Sequence, residues 1–598
     1  MRLIGRIRPI RPIARIEVDR PTARCQPTAD LWPISPKAPV VNAVAFQLQP
    51  ASDSREQPIS RYELWAVVAI VLLGAAVRFA FPSAMAVEHF DEGVYASNLL
   101  FTEQEGFRYP DRHLYAPSLV PWLIEWSIIF FGDKGIAPML PSLLFGTLTI
   151  PLIWWVGRQW FGPLSGIAAA TLLSLSDFHI AFSRSALTDV PLCFWLLLAV
   201  YLFERSFRDL SWSAAIWAGV TTGLAWWTKY NGWLPLAISL CGMTAWLVTG
   251  CRHPRQRKFG FALWGIGFAG ALLTWAPYCW SLPHGYSEVA RNHRGYIVGL
   301  SGWWESLQRH CETLHHCYAG RLQLLGVLLV PVVCWPAIFR RIRSGGWGDD
   351  LELPSAWSLG AWLTTAWWFG LSVSAPFYRP YPRLLMPWLI ASCLVASLAI
   401  GFGFHWNRLR QRHRTNGNAA SSSRDRPRVT VQVVLIGLLV VLIVGLAEGF
   451  RRSAPEWENR RGLKRIAANL RTDVLDSTHS AQQSQMGRDT AVIYVYAEPG
   501  LFFHLPAEGL AVQPAGNLNF VDIEATRRLP TFLVTGPHAH RSNVFTDEFA
   551  KRADRFELIT RYPYDASDFV RLDDVSATQL RVHREPLEVR LYRVLIPE

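Results

Sequence analysis

Ionisable residues collect in four short tracts, each beside the end of an apolar run. The tracts read HFDEGVYA, SRSALTDVP, WTKYNG and YRPYPRLLMP. Their candidate residues are His89, Asp91, Glu92, Arg184, Asp189, Lys229, Arg379 and Arg383. Carboxylates can accept a proton from a reacting group, and Arg or Lys can pair with an anion. Because a charge at a membrane helix is costly, we expect these tracts to form a functional site.

The composition defines the setting of these tracts. Of the 598 residues, 51% are hydrophobic and 18% charged, and 28 are Trp. This excludes an ordinary array of soluble domains and predicts a polytopic α-helical membrane protein. The net charge of +13 comes largely from Arg in short loops, where it sets membrane orientation, and no nucleic-acid module is present. The nine Cys include no C-x-x-C pair, so they leave the redox compartment open.

About eleven apolar runs are long enough to cross a bilayer. They lie near 64–82, 136–157, 164–183, 187–204, 211–228, 231–250, 259–280, 321–340, 355–374, 384–405 and 429–447. A twelfth candidate, 115–131, contains Pro117, Pro121 and Glu125. We predict that this segment is re-entrant or interfacial, since a carboxylate at mid-depth needs protein or water around it. A full span with Glu125 buried against other helices is the alternative.

Orientation follows from the basic loops, since short Lys- and Arg-rich loops stay in the cytoplasm. Eleven spans place every basic loop inside, whereas a span at 115–131 does not. Residues 1–60 are predicted to be a disordered basic cytoplasmic tail of a protein in the cell (plasma or inner) membrane. The loops 83–135 and 281–320 and all four ionisable tracts then lie on the outer face.

The segment 448–598 loses the apolar density of the region 61–447 and is predicted to be a small extracytoplasmic α/β domain. AVIYVYA, LAVQP, TFLVTG and VRLYRVL have the pattern of short strands, and TDEFAKRADRF that of a helix. No G-x-G-x-x-G follows the first strand, so nothing indicates nucleotide binding.

The order of the four tracts along the chain is also informative. A first-loop Asp-Glu, a Pro-rich aromatic stretch, R-x-A-L-x-D, T-K-x-x-G and a late R-L-x-x-P resemble the GT-C glycosyltransferases of the protein-O-mannosyltransferase and aminoarabinose-transferase type. The resemblance covers about residues 60–400. It implies inverting transfer of a sugar from a polyprenyl-phosphate carrier to an acceptor on the outer side of the membrane. The acceptor, whether protein, lipid or glycan, stays open.

The resemblance implies that Asp91 is the general base. If Asp91 and Glu92 begin a helix, they point about 100° apart, so one base fits better than a two-carboxylate glycosidase. Glu92 then orients its neighbours, and His89 supports them. The alternative for this triplet is a solvated helix cap.

Lys229, Arg379 and Arg383 are the candidates for holding the carrier phosphate. Their alternative is snorkelling, in which basic side chains at helix ends reach towards the headgroups. Arg184 and Asp189, five residues apart, are expected to form a buried ion pair that shapes the site.

Two further stretches add substrate-binding candidates. Where the family pattern has a basic residue in the Pro-rich stretch, this chain reads HLYAPSLVPW, with His113 and Tyr115 as its polar groups. This departure weakens the parallel with the aminoarabinose branch. In the second outer loop, GYSEVARNHRGYIVG offers His293, Arg294 and Tyr296.

No cofactor is predicted. The first outer loop contains no D-x-D motif, so we expect donor binding without a divalent cation, with a cation-dependent enzyme as the alternative. His310 and His315 lie at a spacing that approaches that of zinc ligands on a helix. A local disulfide or a plain loop explains that segment better.

Two other classes of protein remain open. A secondary transporter would be polytopic too, but it should show internal repeats and ionisable residues through the membrane depth. A noncatalytic scaffold that presents the C-terminal domain would tolerate the loss of Asp91.

Overall fold

The computed structural model describes most of the chain after residue 57. The described residues are 58–97, 109–132, 135–249, 251, 253–316, 355–416, 444, 447–448, 451, 460–479, 491–507, 510–524, 529–571 and 586–595. They all fall within a single unit, Pro58–Glu598. The predicted tail 1–60 therefore lies almost wholly outside the described residues.

Helices make up the first part of the structure. They are α1 (Arg61–Phe79), α2 (Phe90–Ala96), α3 (Leu119–Phe131), α4 (Leu140–Phe161), α5 (Pro163–Ser174), α6 (Asp177–Ser183), α7 (Asp189–Asp209), α8 (Trp212–Thr228), α9 (Leu234–Thr249), α10 (Pro254–Ser281), α11 (Tyr286–Arg294), α12 (Gly299–His316), α13 (Ser355–Ser374) and α14 (Met386–Asn416). Nine of the predicted apolar runs fall on these helices, one of them on the α5–α6 pair. The protein is therefore a multi-pass helical membrane protein.

Within the described residues, five segments are long and apolar enough to cross a membrane. They are Arg61–Ala84, Ala137–Phe161, Asp189–Asp209, Pro254–Ser281 and Pro382–Gly401. The pair α5 and α6, bent by 60°, makes a sixth if it is one span. The predicted runs 321–340 and 429–447 lie almost wholly outside the described residues. The total of eleven spans therefore stays a prediction.

The ambiguous segment 115–131 forms the short helix α3. Its 13 residues span roughly 20 Å at 1.5 Å per residue, less than the ~30 Å of a hydrocarbon core. Glu125 is buried inside the protein, with 1% of its surface exposed. The length of α3 agrees better with a re-entrant or interfacial segment than with a full span.

The C-terminal part contains a five-stranded sheet with the order β2-β1-β3-β5-β4. Its strands are β1 (Ala491–Tyr496), β2 (Leu510–Ala515), β3 (Thr531–Thr535), β4 (Phe556–Tyr564) and β5 (Leu587–Val594). The first three strands are parallel, and β5 pairs antiparallel with β3 and β4. The four predicted strands are thus present.

Helices of 4 to 18 residues precede, connect and cover these strands. They are α15 (Gly462–His479), α16 (Pro499–His504), α17 (Phe520–Glu524), α18 (Pro537–His540), α19 (Asn543–Ala550) and α20 (Asp568–Arg571).

The predicted helix TDEFAKRADRF is only partly right. The helix α19 begins earlier, at Asn543, where the Ser542 hydroxyl accepts a hydrogen bond from the N–H of Phe545, and it ends at Ala550. Phe556 instead begins β4, which the sequence analysis missed. This edge strand exposes much of its length and contains a register shift and Pro563, so it lacks the regular alternation that marks a strand.

A continuous apolar core joins the membrane helices to the sheet domain. It includes Val94 of α2, Leu463 of α15 and Phe502 of α16, together with buried residues of α4, α7 and α14. The short helix α2 is therefore held between the membrane helices and the C-terminal domain.

Candidate active site

The helix α2 positions the two acidic residues of the first tract. His89 caps it, because its Nδ1 accepts a hydrogen bond from the Asp91 N–H at 3.1 Å. The Glu92 carboxylate folds back and accepts the N–H groups of Glu88 and His89 at 3.0 and 2.9 Å. These bonds satisfy donors that a helix start leaves open. Asp91 and Glu92 thus lie in the first turn of a helix, which is the condition for the single-base argument, and the cap is buried and not solvated.

Asp91 forms an ion pair with Arg383, from the tract that precedes α14. Their side chains are 12% and 17% exposed, so the pair is shielded but reachable. The Tyr95 hydroxyl, one turn along α2, lies 3.5 Å from Asp91 Oδ2. The Arg383 guanidinium also lies over the Tyr381 ring, 5.3 Å from its centroid. Residues 292 positions apart therefore meet at one carboxylate.

Lys229 and Asp189 form a second ion pair, with Nζ 2.5 Å from Oδ1. The predicted pair between Arg184 and Asp189 is wrong. The Arg184 Nη1 donates to the carbonyls of Arg78 and Ala80 at 2.8 and 2.6 Å, at the C-terminal end of α1. The last carbonyls of a helix need donors from outside the helix, which explains the competing partner.

Tyr95 is close to Asp91 and within electrostatic reach of Asp189. Burial raises the pKa of its phenol well above the ordinary value, and the carboxylates of Asp91 and Asp189 act in the same direction. Arg383 lowers the same pKa. A single hydroxyl is thus within electrostatic reach of both carboxylates and of one of the guanidinium groups.

Tyrosine and histidine side chains line the neighbourhood of these pairs. Burial raises the pKa of Tyr115 to about 12, and the nearby Asp91 carboxylate and Tyr296 also raise it. The Arg379 guanidinium lies 5.8 Å from the centroid of the Tyr296 ring, and the Arg379 N–H donates to the Tyr296 carbonyl at 2.9 Å. The His293 ring centroid is 6.0 Å from that of Tyr296. The structure therefore joins the second outer loop to the late Arg tract.

His113 lies at the edge of this group. Its Nε2 is 3.2 Å from a Glu288 carboxylate oxygen of α11, and its carbonyl accepts a hydrogen bond from the Tyr230 hydroxyl. The Tyr230 ring centroid also lies 5.0 Å from that of His293. Arg294 by contrast is exposed on α11. Of the residues predicted from the sequence, His113, His293, Tyr296 and Arg379 are thus linked through contacts. Arg294 lies outside this group.

Glu92 is buried beneath this group, with 0% exposure. Its carboxylate receives the Ala186 N–H at 2.8 Å and Arg460 Nη2 at 2.8 and 2.9 Å. Burial alone would raise the pKa of Glu92, but Arg460 and the N–H groups of Glu88 and His89 hold it below its usual range. Glu92 therefore acts as an anchor in the protein interior and has no path to a substrate in this arrangement.

Arg460 is not among the residues predicted from the sequence. Its Nη1 also donates to the Arg184 carbonyl at 2.8 Å, so one side chain ties two of the tracts to the segment before α15. The sequence did contain a hint. Arg460 and Arg461 follow the last predicted span on its outer side, where Lys and Arg are usually rare. The buried partner Glu92 explains why an Arg occurs there.

The C-terminal domain also contributes Glu498 and His538, which the sequence analysis missed too. The Glu498 carboxylate accepts the His538 N–H at 2.8 Å and lies 3.1 Å from His538 Nδ1. The His538 ring centroid lies 4.9 Å from that of Phe90, the residue before Asp91. The domain therefore reaches the residues around Asp91.

Metal-binding residues are not gathered in the described part of the chain. Among those residues, no three His, Cys, Asp or Glu side chains are placed to hold a metal ion. His310 is buried on α12, where burial lowers its pKa to about 4. The side chain of His315 lies outside the description, so the zinc alternative is not tested there.

Comparison with known proteins places this arrangement in a wider group. A family model described as dolichyl-phosphate-mannose-protein mannosyltransferase matches residues 116–280, which run from α3 to α10. ArnT from Cupriavidus metallidurans, solved bound to undecaprenyl phosphate, has a TM-score of 0.52 and 16% identity, covering 88% of this chain and 97% of that one. The chain has the fold of the GT-C glycosyltransferases.

A second solved structure has the same fold. The archaeal oligosaccharyltransferase AglB from Archaeoglobus fulgidus, solved with an inhibitory peptide and a dolichol-phosphate, has a TM-score of 0.53 and 12% identity. The match covers 86% of this chain and 75% of AglB. No curated protein sequence matches this chain at a significant level. The GT-C resemblance read from the motifs is thereby confirmed at the level of the fold.

Proposed function

We propose that this protein is an inverting membrane glycosyltransferase that moves a sugar from a polyprenyl-phosphate carrier to a hydroxyl acceptor. The supporting observation is the contact of Asp91 with Arg383 beside the Lys229–Asp189 pair. A shielded carboxylate thus pairs with a cation from a distant tract one turn from Tyr95, and Tyr95 is within electrostatic reach of the Asp189 carboxylate that holds Lys229. The carboxylate can remove a proton from the acceptor, and the cations can bind the carrier phosphate.

The proposed reaction assigns one role to each group. Asp91 accepts the proton of the acceptor hydroxyl while that oxygen attacks the anomeric carbon from the face opposite the phosphate. The bond between the anomeric carbon and the phosphate oxygen breaks, and its electron pair leaves with the carrier phosphate. Arg383, Lys229 and Arg379 stabilise the charge that develops on the phosphate. Glu92 and His89 hold α2 so that Asp91 keeps its direction.

The solved neighbours support the class of donor. ArnT was solved with undecaprenyl phosphate and AglB with a dolichol-phosphate, and both share this fold. The active site then opens on the outer face of the cell membrane, with the N-terminus in the cytoplasm and the C-terminal domain outside. The charge of the short loops is the support for this orientation.

The test is the turnover of a panel of labelled polyprenyl-phosphate sugars by membrane vesicles that contain the protein. Asp91→Asn keeps the shape of the side chain and removes the base, so we expect transfer to fall by about 10²-fold or more, with donor binding retained. The matched control is Asp111→Asn, an exposed carboxylate of the same loop whose φ of 54° Asn also tolerates.

Normal transfer by the Asp91→Asn variant would refute the assignment of the base. No consumption of any donor by the unmodified protein would favour the transporter or scaffold alternatives, which need no base at this position.

A further inference from the structure

Aromatic side chains from the first outer loop and the C-terminal domain surround Phe90, the residue before Asp91. Phe90 lies at the centre, with ring centroids 6.0 Å from Tyr109, 5.8 Å from Tyr115 and 4.9 Å from His538. All four side chains are partly exposed, whereas Val94 and Phe502 next to them are buried. We call Phe90, Tyr109, Tyr115 and His538 the aromatic cluster.

Glu498 fixes His538 within this cluster. The Glu498 side chain is 4% exposed and that of His538 27%. Both carboxylate oxygens lie 3.1 Å from Nδ1, and one also accepts the His538 N–H at 2.8 Å. Gly536 allows this approach, because a Cβ there would lie 2.5 Å from the Glu498 carboxyl carbon. The buried Glu498 carboxylate therefore fixes the orientation of the partly exposed His538 imidazole through its Nδ1 atom.

The side chains that contact Asp91 and those that contact Phe90 differ in chemistry. Arg383 approaches from the membrane helices and carries positive charge, as a phosphate partner should. The aromatic cluster approaches with flat rings, two phenol hydroxyls and an imidazole. Such a surface suits a neutral ligand that has apolar faces and hydroxyl groups.

We propose that the aromatic cluster is the acceptor subsite and that it binds a sugar ring, with His538 hydrogen-bonded to one of its hydroxyls. The inference rests on the proposed function and deepens it, because it names a glycan as the class of acceptor. The C–H faces of the sugar lie against Phe90 and the tyrosines, and Glu498 keeps the imidazole turned towards the hydroxyl. His538 is then a binding residue that the C-terminal domain supplies to a membrane-embedded site.

The first test measures binding without turnover. Full-length protein in detergent is treated with diethyl pyrocarbonate, with or without a panel of methyl glycosides and short oligosaccharides, and modified histidines are mapped by mass spectrometry. We expect a sugar to slow the modification of His538 by about fivefold and to leave His540 unchanged. His540 is the matched control because it lies in the same short helix and contacts the Thr535 hydroxyl at 2.9 Å.

A hydroxyl-bearing peptide is the comparison ligand. Protection of His538 by the peptide but by no sugar would overturn the glycan assignment. No protection by either ligand would overturn the subsite itself. Because the measurement needs no donor, it decides the inference even if no carrier-linked sugar is transferred.

The second test separates binding from structure. With an active donor, His538→Ala should raise the acceptor KM by about five- to tenfold, the size of one lost hydrogen bond, and leave the donor KM unchanged. Glu498→Gln should raise the acceptor KM less, and His540→Ala should not change it. An unchanged acceptor KM in His538→Ala, or an equal rise in His540→Ala, would contradict the proposal.

Discussion

Arg460 and Glu92, 368 residues apart in the chain, form a buried ion pair in which Nη2 lies 2.8 and 2.9 Å from the two carboxylate oxygens. Glu92 is also the residue that closes the start of α2, directly after Asp91. The segment before α15, which contains Arg460, therefore helps to hold α2 and the proposed base Asp91 in place.

Removal of Arg460 should destabilise the protein strongly. Arg460→Ala leaves the Glu92 carboxylate buried without its partner, which costs about 3 to 5 kcal/mol of unfolding free energy. The measurement is the apparent Tm of the detergent-solubilised protein. Arg465→Ala, an exposed arginine of the same segment, is the control and should change the Tm little. In the double variant Arg460→Met with Glu92→Gln, the stranded charge is removed while the amide oxygen still accepts backbone N–H groups. We expect much of the lost Tm to return, and its absence would argue against a pairwise effect.

The Lys229–Asp189 pair allows folding and donor binding to be separated. Lys229→Met should destabilise the protein, because the Asp189 side chain is 2% exposed and loses its cation. Adding Asp189→Asn removes the stranded charge and should restore the Tm, but not the binding of a labelled polyprenyl-phosphate sugar if Lys229 contacts the phosphate. Recovery of both properties would show that the pair is structural only.

Glu88 should make the stability depend on pH. Burial raises its pKa to about 7 from 4.5, so the folded protein prefers the protonated carboxyl. This preference is fully present below pH 4.5 and is lost as the pH rises through about 7. Its size is on the order of 3 kcal/mol, at about 1.4 kcal/mol per pKa unit.

The variant Glu88→Gln cannot ionise. Its Tm should therefore exceed that of the unmodified protein above pH 7 and approach it near pH 5, when both are measured by thermal unfolding across this range. Parallel Tm profiles of the two proteins would contradict the assignment of the raised pKa to Glu88.

Gly93 marks the closest approach between α2 and the C-terminal domain. A Cβ at this position would lie 2.3 Å from the Gly500 nitrogen and the Pro499 carbonyl carbon, both backbone atoms. Gly93→Ala should thus push α2 and α16 apart, lower the unfolding free energy by about 1 to 3 kcal/mol or more, and reduce transfer. Gly516→Ala, where a Cβ meets nothing within 4 Å, is the control for both the Tm and the transfer assay. Equal behaviour of the two variants would refute the contact.

The sequence predicted the parts of the structure that depend on local pattern. Apolar runs located the helices, and the Asp91–Glu92 pair was compatible with a helix start, because acidic residues cap helices within a few positions. The late Arg tract was singled out because a charge at the end of an apolar run is informative by itself. Its role in phosphate binding stays a prediction. The Asp91–Arg383 contact itself became visible only in the structure.

The parts that were missed depend on partners far apart in the chain. Arg184 lies five residues from Asp189, yet it binds the carbonyls at the end of α1. Glu498 and His538 lie in an α/β domain whose sequence shows no motif. Only the proximity of His538 to Phe90 in the structure points to a role at the site. Three-dimensional proximity decides such contacts, and residue type and spacing do not encode it.

The two outermost strands of the sheet each contain a proline, Pro514 in β2 and Pro563 in β4. A proline is tolerated in an edge strand where its missing N–H faces away from the neighbouring strand, so the lost donor falls on the open side. An extended polypeptide that tried to lengthen the sheet would meet an incomplete hydrogen-bonding ladder at either margin. The two sheet margins therefore offer fewer main-chain donors for strand addition than regular edge strands would.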